Sequence, residues 1–293
     1  MPLPDFFNRD HAEVETALDA LLPPGDAPPP VIHQAMRYSV FAGGKRVRPI
    51  LSIEAARIFS DPPRSVLPVA CAVEFIHTYS LIHDDLPALD NDDLRRGRPT
   101  CHKQFGDAMA ILAGDALLTR AFEVLAGADL PAERRVALIR EIATAAGTVD
   151  GMVGGQVADL QAEGRPIDPA ILEYIHRSKT AALIRASVVA GAIAGGGGEA
   201  EVERLRRFGE NIGLAFQVVD DILDVEESSA TLGKTAGKDQ TQKKATYPAL
   251  YGLEKSRETA NHLVARAHAE LAPFGARAQR LAELADFLVA RRA

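Results

Sequence analysis

Residues 208–224 read FGENIGLAFQVVDDILD. Phe208, Ile212, Phe216, Val219 and Leu223 recur at steps of three and four, the spacing of one buried face of an α-helix. Comparable patterns run through Val66–Leu86, Asp107–Leu125, Glu133–Val149, Pro169–Ala194 and Arg257–Leu271, and sustained period-two alternation is absent. Alanine is abundant and tryptophan is missing, which suits helices packed closely through small contacts. The expected fold class is all-α, a bundle of about ten or more helices.

The same stretch carries charge where a core helix should not. Asp220 and Asp224 are i and i+4 and share one side of the helix, with Gln217 and Gly213 at earlier turns. A polar stripe on an otherwise apolar helix is expected to line a cavity. The first acidic cluster in the chain, DDLPALD at Asp84–Asp90, closes the apolar run 66–86, and the second, DDILD at Asp220–Asp224, is likewise expected at the end of its helix. Pro87 disfavours a helical Leu86, so the helix should end there and let the chain swing Asp90 back towards Asp84. Behind Asp84, Ser80 and His77 continue a second polar stripe. The two stripes are expected to form opposite walls of one pocket.

Two carboxylates about 4 Å apart repel by about 4 kcal/mol at an effective dielectric near 20. Facing acidic clusters therefore call for cations between them, and an oxygen-only ligand set suits magnesium or calcium. Basic residues stand close by: GGKRVRP at Gly43–Pro49 supplies Lys45, Arg46 and Arg48, and LRRGRPT at Leu94–Thr100 supplies Arg95 and Arg96. Lys179 and Thr180 lie within HRSKT, and Lys234 and Lys244 flank the polar segment Glu226–Lys244, read here as a mobile loop over a site. Arginine forks and lysines beside metal-binding carboxylates fit phosphorylated ligands.

Composition narrows the partners. The net charge is −7 and no block of five or more basic residues occurs, which argues against nucleic acid. Cys71 and Cys101 are too few for a disulfide framework. The start, MPLPDFFNRDH, has neither a signal-peptide nor a transit-peptide pattern, and Ala186–Ala194 is too short to span a membrane. A cytoplasmic location without membrane insertion is expected. Pro23–Pro30 reads as a connection between two helices and Gly195–Gly198 as a helix terminus, so residues 1–293 are expected to form a single domain.

Taken in order, GGKRVRP, DDLPALDNDDLRRGRPT, GGQVADL, SKT, FQVVDDILD and GKTAGKDQTQKKATYP closely resemble the trans-isoprenyl diphosphate synthases, and within them the bacterial farnesyl diphosphate synthases. The resemblance runs from about Ala35 to Leu253. It implies an isoprenoid synthase-type helical bundle around a central cavity, in homodimers. Asp84 and Asp90 would bind two Mg²⁺ ions and Asp220 a third, with Asp85, Asp221 and Asp224 acting through bound water or behind the ligands. Arg95, Lys179, Lys234 and Lys244 would hold the allylic diphosphate, Lys244 being chosen over Lys243 because it precedes ATYP. Lys45, Arg48, His77 and Arg96 would hold isopentenyl diphosphate without metal. Lys179, Thr180 and Gln217 would face the allylic cation left when diphosphate departs. The double bond of isopentenyl diphosphate would then attack head-to-tail, with water kept out.

Product length is expected to follow from Tyr79 and Ser80. A residue five positions before Asp84 lies about 7.5 Å deeper along a helix, and an aromatic there resembles bacterial enzymes that stop at fifteen carbons. Tyr79 is also rotated about 140° from Asp84 on a regular helix, so it can equally be ordinary core. Farnesyl diphosphate is the expected product, with geranylgeranyl or geranyl diphosphate as alternatives. His77, His83–Asp84 and Asp220 superficially match a helical metal-dependent phosphohydrolase, which leaves DDILD, LRRGRPT and SKT unexplained. A terpene cyclase would not need GGKRVRP and Arg96. A non-catalytic partner subunit would usually have lost residues of the Asp motifs, and none is lost here.

Overall fold

The computed structural model of the chain describes residues 5–60, 65–166, 168–232 and 246–289. Helices account for nearly all of it. They are α1 (Asp5–Leu21), α2 (Pro30–Val40), α3 (Val47–Arg57), α4 (Val66–Asp84), α5 (Cys101–Phe105), α6 (Asp107–Ala126), α7 (Ala132–Ala146), α8 (Met152–Ala162) and α9 (Pro169–Ile175). A π-helical turn, His176–Ala181, leads into α10 (Ala182–Gly195). Then follow α11 (Glu199–Leu232), α12 (Tyr247–Tyr251), α13 (Leu253–Leu271), a 3₁₀ segment (Ala272–Ala278) and α14 (Gln279–Val289).

α4 is the axis. Val69–Ile76 are buried without interruption, as befits a helix apolar on every side. Its composition would let it cross a membrane, yet 67% of its apolar window is buried inside the protein. It packs on α3, α6 and α10, while α10 also meets α7 and α11, and α11 lies along α13. One apolar core gathers around α4, α6 and α2, and a second joins α3, α10, α13 and α14.

Local chemistry sets the breaks. Pro169 opens α9 and the Asp168 side chain accepts the Ala170 N–H at 2.8 Å, an N-cap. Gly196 ends α10 at φ 93°, the left-handed conformation that favours glycine, so GGGG is the helix terminus expected. Residues 23–30 do join α1 to α2.

Two expectations need correction. The second acidic cluster does not close its helix: α11 continues to Leu232. VEESSATL contains no glycine or proline, so nothing stops the helix after Asp224. Residues 226–232 are therefore helical rather than loop, and the remainder of the segment read as a mobile loop, with Lys234, Lys238, Lys243 and Lys244, lies outside the described residues. A small hairpin also escaped the helical reading: Leu94–Arg95 pairs antiparallel with Arg98–Pro99. Arg96 (φ 53°) and Gly97 (φ 76°) make the two-residue turn whose twist suits such a pair.

Candidate active site

The C-terminal end of α4 brings the first acidic cluster together. The helix stops at Asp84, and the backbone N–H of Asp90 donates to the Asp84 carbonyl oxygen at 2.9 Å. The Pro87 turn thus folds back, as the sequence suggested. Burial pushes the Asp84 carboxyl up to about 6; Asp90 and Asp85 add to the rise, while Lys179 and Arg95 oppose it. Asp85 serves elsewhere. It is buried and accepts from Arg95 Nε at 2.8 and 3.0 Å, with Arg95 also reaching Asp92 at 3.5 Å. Arg95 is thereby held beside the cluster by a bidentate ion pair, and Asp85 spends its oxygens on that pair.

Below Asp84 opens a cavity of about 420 Å³. α4 contributes His77, Tyr79 and Ser80 to its wall, α8 contributes Met152, Val153 and Gln156, and the π-turn contributes Lys179 and Thr180. Tyr79 is only 6% exposed, yet it borders this space, with its ring edge-on to His83. The 140° rotation therefore does not remove it from the cavity. The Lys179 ammonium donates to Asp159 Oδ2 at 2.6 Å. Asp159, in GGQVADL, had no role in the sequence reading. Gln156 of the same motif has its Oε1 buried without a hydrogen-bond partner in the cavity wall.

The π-turn has neighbours on two sides because glycines let them in. A Cβ on Gly155 of α8 would lie 2.2 Å from the Lys179 backbone nitrogen, and one on Gly213 of α11 would lie 2.7 Å from Ala181. Gly213 is thus a packing residue against the π-turn and not part of a polar cavity wall. Such turns often sit at functional sites, and this one carries Lys179 and Thr180 between α8 and α11.

On α11, Asp220 is partly exposed and Asp224 exposed, whereas Asp221 is buried. Asp221 accepts the Tyr247 backbone N–H at 2.9 Å and the Gln217 amide at 3.2 Å, and lies 3.4 Å from His176 Nε2. His176 stacks on the Tyr247 ring, and its burial lowers its pKa to about 4, so the pair is an imidazole next to a carboxylate and not an ion pair at neutral pH. Asp221 therefore ties α11 to the π-turn and to α12, a structural task that the sequence did not disclose. Gln217 is engaged in the same knot.

The basic motifs also divide. Arg48 Nη1 is 3.3 Å from His77 Nε2, and both line the cavity. Burial and the nearby Arg48, Arg96, Arg46 and Arg95 guanidiniums hold the His77 pKa well below its usual value, so the imidazole is neutral. Arg96 donates to the Gly43 carbonyl, which brings LRRGRPT against GGKRVRP. Lys45 is exposed with its Nζ over the Phe287 ring of α14, 5.3 Å from the centroid, away from the cavity wall. Arg46, expected in the phosphate cradle, is instead 3% exposed and fully engaged inside the protein.

The donor set fits magnesium. Asp84 and Asp90 present oxygen only, and a half-buried carboxyl raised by burial and then by its acidic neighbours gains from a cation. Among the described residues no three side chains converge as a metal cage. Magnesium is usually held by one or two carboxylates with waters and substrate phosphates rather than by an all-protein cage. His83 is turned to the Ile111 carbonyl at 3.0 Å, as a phosphohydrolase ligand would not be.

A fold of this kind, with an acid-tipped helix over an apolar cavity, defines a class of prenyl-transferring enzymes, and comparison with known proteins agrees. Residues 29–273 match the polyprenyl synthetase family. The large subunit 1 of a chloroplastic heterodimeric geranylgeranyl pyrophosphate synthase from Arabidopsis thaliana is 55% identical over 89% of this chain and 71% of its own length. A dimethylallyltranstransferase from Fischerella ambigua is 47% identical over 99% and 84%. The crystal structure of an FPP/GFPP synthase from Zymomonas mobilis superimposes with a TM-score of 0.86 at 39% identity, covering 97% of this chain and 98% of that one. The chain belongs to the polyprenyl synthetase family. It is a trans-prenyltransferase of all-α fold, acting on isoprenoid diphosphates.

Proposed function

We propose that this enzyme condenses isopentenyl diphosphate head-to-tail with dimethylallyl and then geranyl diphosphate, and releases farnesyl diphosphate. The observation that carries the reading is one cavity wall on one helix: Asp84 at its mouth and Tyr79 about 7.5 Å deeper. A chain growing from the acidic end meets the phenol ring early. The dimethylallyltranstransferase and the FPP/GFPP synthase among its relatives are compatible with that product. Geranylgeranyl diphosphate is the second reading, favoured by the name of the plant relative.

In this reading Asp84, Asp90 and Asp220 hold three Mg²⁺ ions, with Asp224 behind them, and Arg95, Lys179, Lys234 and Lys244 bind the allylic diphosphate. Bound magnesium supplies Lewis-acid charge that stabilises a departing diphosphate. Lys179 and Thr180, side by side on the π-turn, orient the allylic group, and the Thr180 hydroxyl oxygen, with Gln217, stabilises developing positive charge through its dipole. Neutral His77 with Arg48 and Arg96 holds isopentenyl diphosphate, and Lys45 joins them only by leaving its place over Phe287. Apolar walls from α4 and α8 exclude water that would quench the cation. We place the enzyme in the cytoplasm as a single-domain homodimer, with the buried free thiols of Cys71 and Cys101 suited to a reducing compartment. Chromatography of products made under steady-state conditions tests the reading: a dominant fifteen-carbon diphosphate supports it, and a twenty-carbon product would move the chain-length stop away from Tyr79.

A further inference from the structure

Arg46 is a cation buried within a phosphate-binding motif without reaching the cavity. It adopts the left-handed conformation, φ 50° and ψ 36°, at the start of α3. Its guanidinium is spent on three acceptors from three elements: Glu15 of α1 at 2.6 Å, Glu74 of α4 at 2.8 Å and the Val40 carbonyl of α2 at 2.6 Å. Around it three more carbonyls of the 40–44 turn face a side chain. Phe41 accepts from Arg98 at 3.3 Å, Gly43 from Arg96, and Gly44 faces His11 Nε2 at 3.0 Å. Two residues beyond Arg46 lies Arg48, and three beyond Glu74 lies His77, and these two line the cavity 3.3 Å apart. The Arg46–Glu74 pair therefore links the two segments that present the diphosphate-binding groups, one turn behind them.

We propose that Arg46 is a positioning residue for isopentenyl diphosphate: its ion pairs to Glu15 and Glu74 fix the 43–48 turn against α4 and so set the spacing of Arg48, His77 and Arg96. α1 thereby acts as a brace for that half of the site. The proposal rests on the isopentenyl diphosphate site assigned above, and it concerns one substrate only, because the allylic groups have supports of their own: Lys179 is held on the π-turn by Asp159, Arg95 is held by Asp85, and Asp84 lies ten residues beyond Glu74 at the far end of α4. Displacement of a binding group by about 1 Å can cost about a hundredfold.

The test uses the full chain. Removing Arg46 alone strands the Glu74 carboxylate in the core, a strongly destabilising change, so the informative variant is the double substitution Arg46→Met/Glu74→Gln. Glu15→Gln, at a partly exposed position, is the milder companion. The expected result for both is a rise in KM for isopentenyl diphosphate, about tenfold or more in the double variant and about threefold in Glu15→Gln. KM for geranyl diphosphate should stay within about twofold, and Arg46→Lys should recover part of the loss. Calorimetric binding of isopentenyl diphosphate should weaken in parallel. Unchanged isopentenyl diphosphate KM in Glu15→Gln, or equal rises for both substrates, would overturn the proposal. A wild-type protein that binds no isopentenyl diphosphate would instead overturn the assignment of the site.

Discussion

The backbone N–H of Asp90 meets the carbonyl oxygen of Asp84 at 2.9 Å. This bond closes the Pro87 turn and sets two carboxylates six residues apart at the tip of a buried helix. Everything proposed for the allylic diphosphate depends on that tip facing Lys179, whose ammonium lowers the Asp84 pKa against the stronger effect of burial.

Asp84→Asn and Asp220→Asn should each cut turnover by at least about a hundredfold while leaving the thermal midpoint nearly unchanged, because neither carboxylate is fully buried. Steady-state rates with excess Mg²⁺ and a melting curve check this. Near-normal rates in both variants would remove the metal-clamp assignment.

Tyr79→Ala should lengthen the product. The ring fills space beside the cavity at 6% exposure, and its loss opens the wall five residues below Asp84. Twenty-carbon and longer diphosphates should appear by chromatography, whereas an unchanged profile would place the floor of the cavity elsewhere.

Asp221→Ala should behave as a stability variant. It strands the Tyr247 N–H and the Gln217 amide, at a cost of about 1–3 kcal/mol. The melting temperature should fall by several degrees, more than in Asp220→Asn. A variant that melts like wild type but binds magnesium more weakly would return Asp221 to the metal side.

Glu54 gives a pH signature. Burial, then its contact with Asp10, pushes its carboxyl up to about 8, while Arg57 and Arg280 pull the other way. A carboxyl raised on folding contributes stability that is complete below about 4.5 and lost as pH rises through about 8. Asp10, which burial pushes up but which Arg57, Glu54 and Arg9 together hold below its usual value, works in the opposite sense at acid pH. Chemical denaturation from pH 5 to 9 should show wild type losing on the order of a few kcal/mol, and Glu54→Gln losing less. Parallel curves would show that the Glu54 carboxyl is not raised on folding.

The first acidic cluster was legible in the sequence because its causes are local: an apolar helix, a proline and an i, i+6 pair. The cavity wall from α4 followed from the same helix. What stayed hidden depends on residues far apart in the chain. Lys179 finds Asp159 20 positions away, Arg46 finds Glu15 31 away, and Asp221 finds Tyr247 26 away. Arg46 looked like a substrate ligand because a buried arginine is readable only once both of its carboxylates are in place. The π-turn was equally silent, since its extra residue is accommodated by Gly155 and Gly213 on neighbouring helices.

One single-turnover experiment tests the central claim most directly: purified protein, geranyl diphosphate, labelled isopentenyl diphosphate and Mg²⁺, with EDTA as the control. The expected result is label in farnesyl diphosphate within one turnover, abolished by EDTA. Label that stays in isopentenyl diphosphate with magnesium present would contradict the assignment of the Asp84 cavity as a prenyl-transfer site.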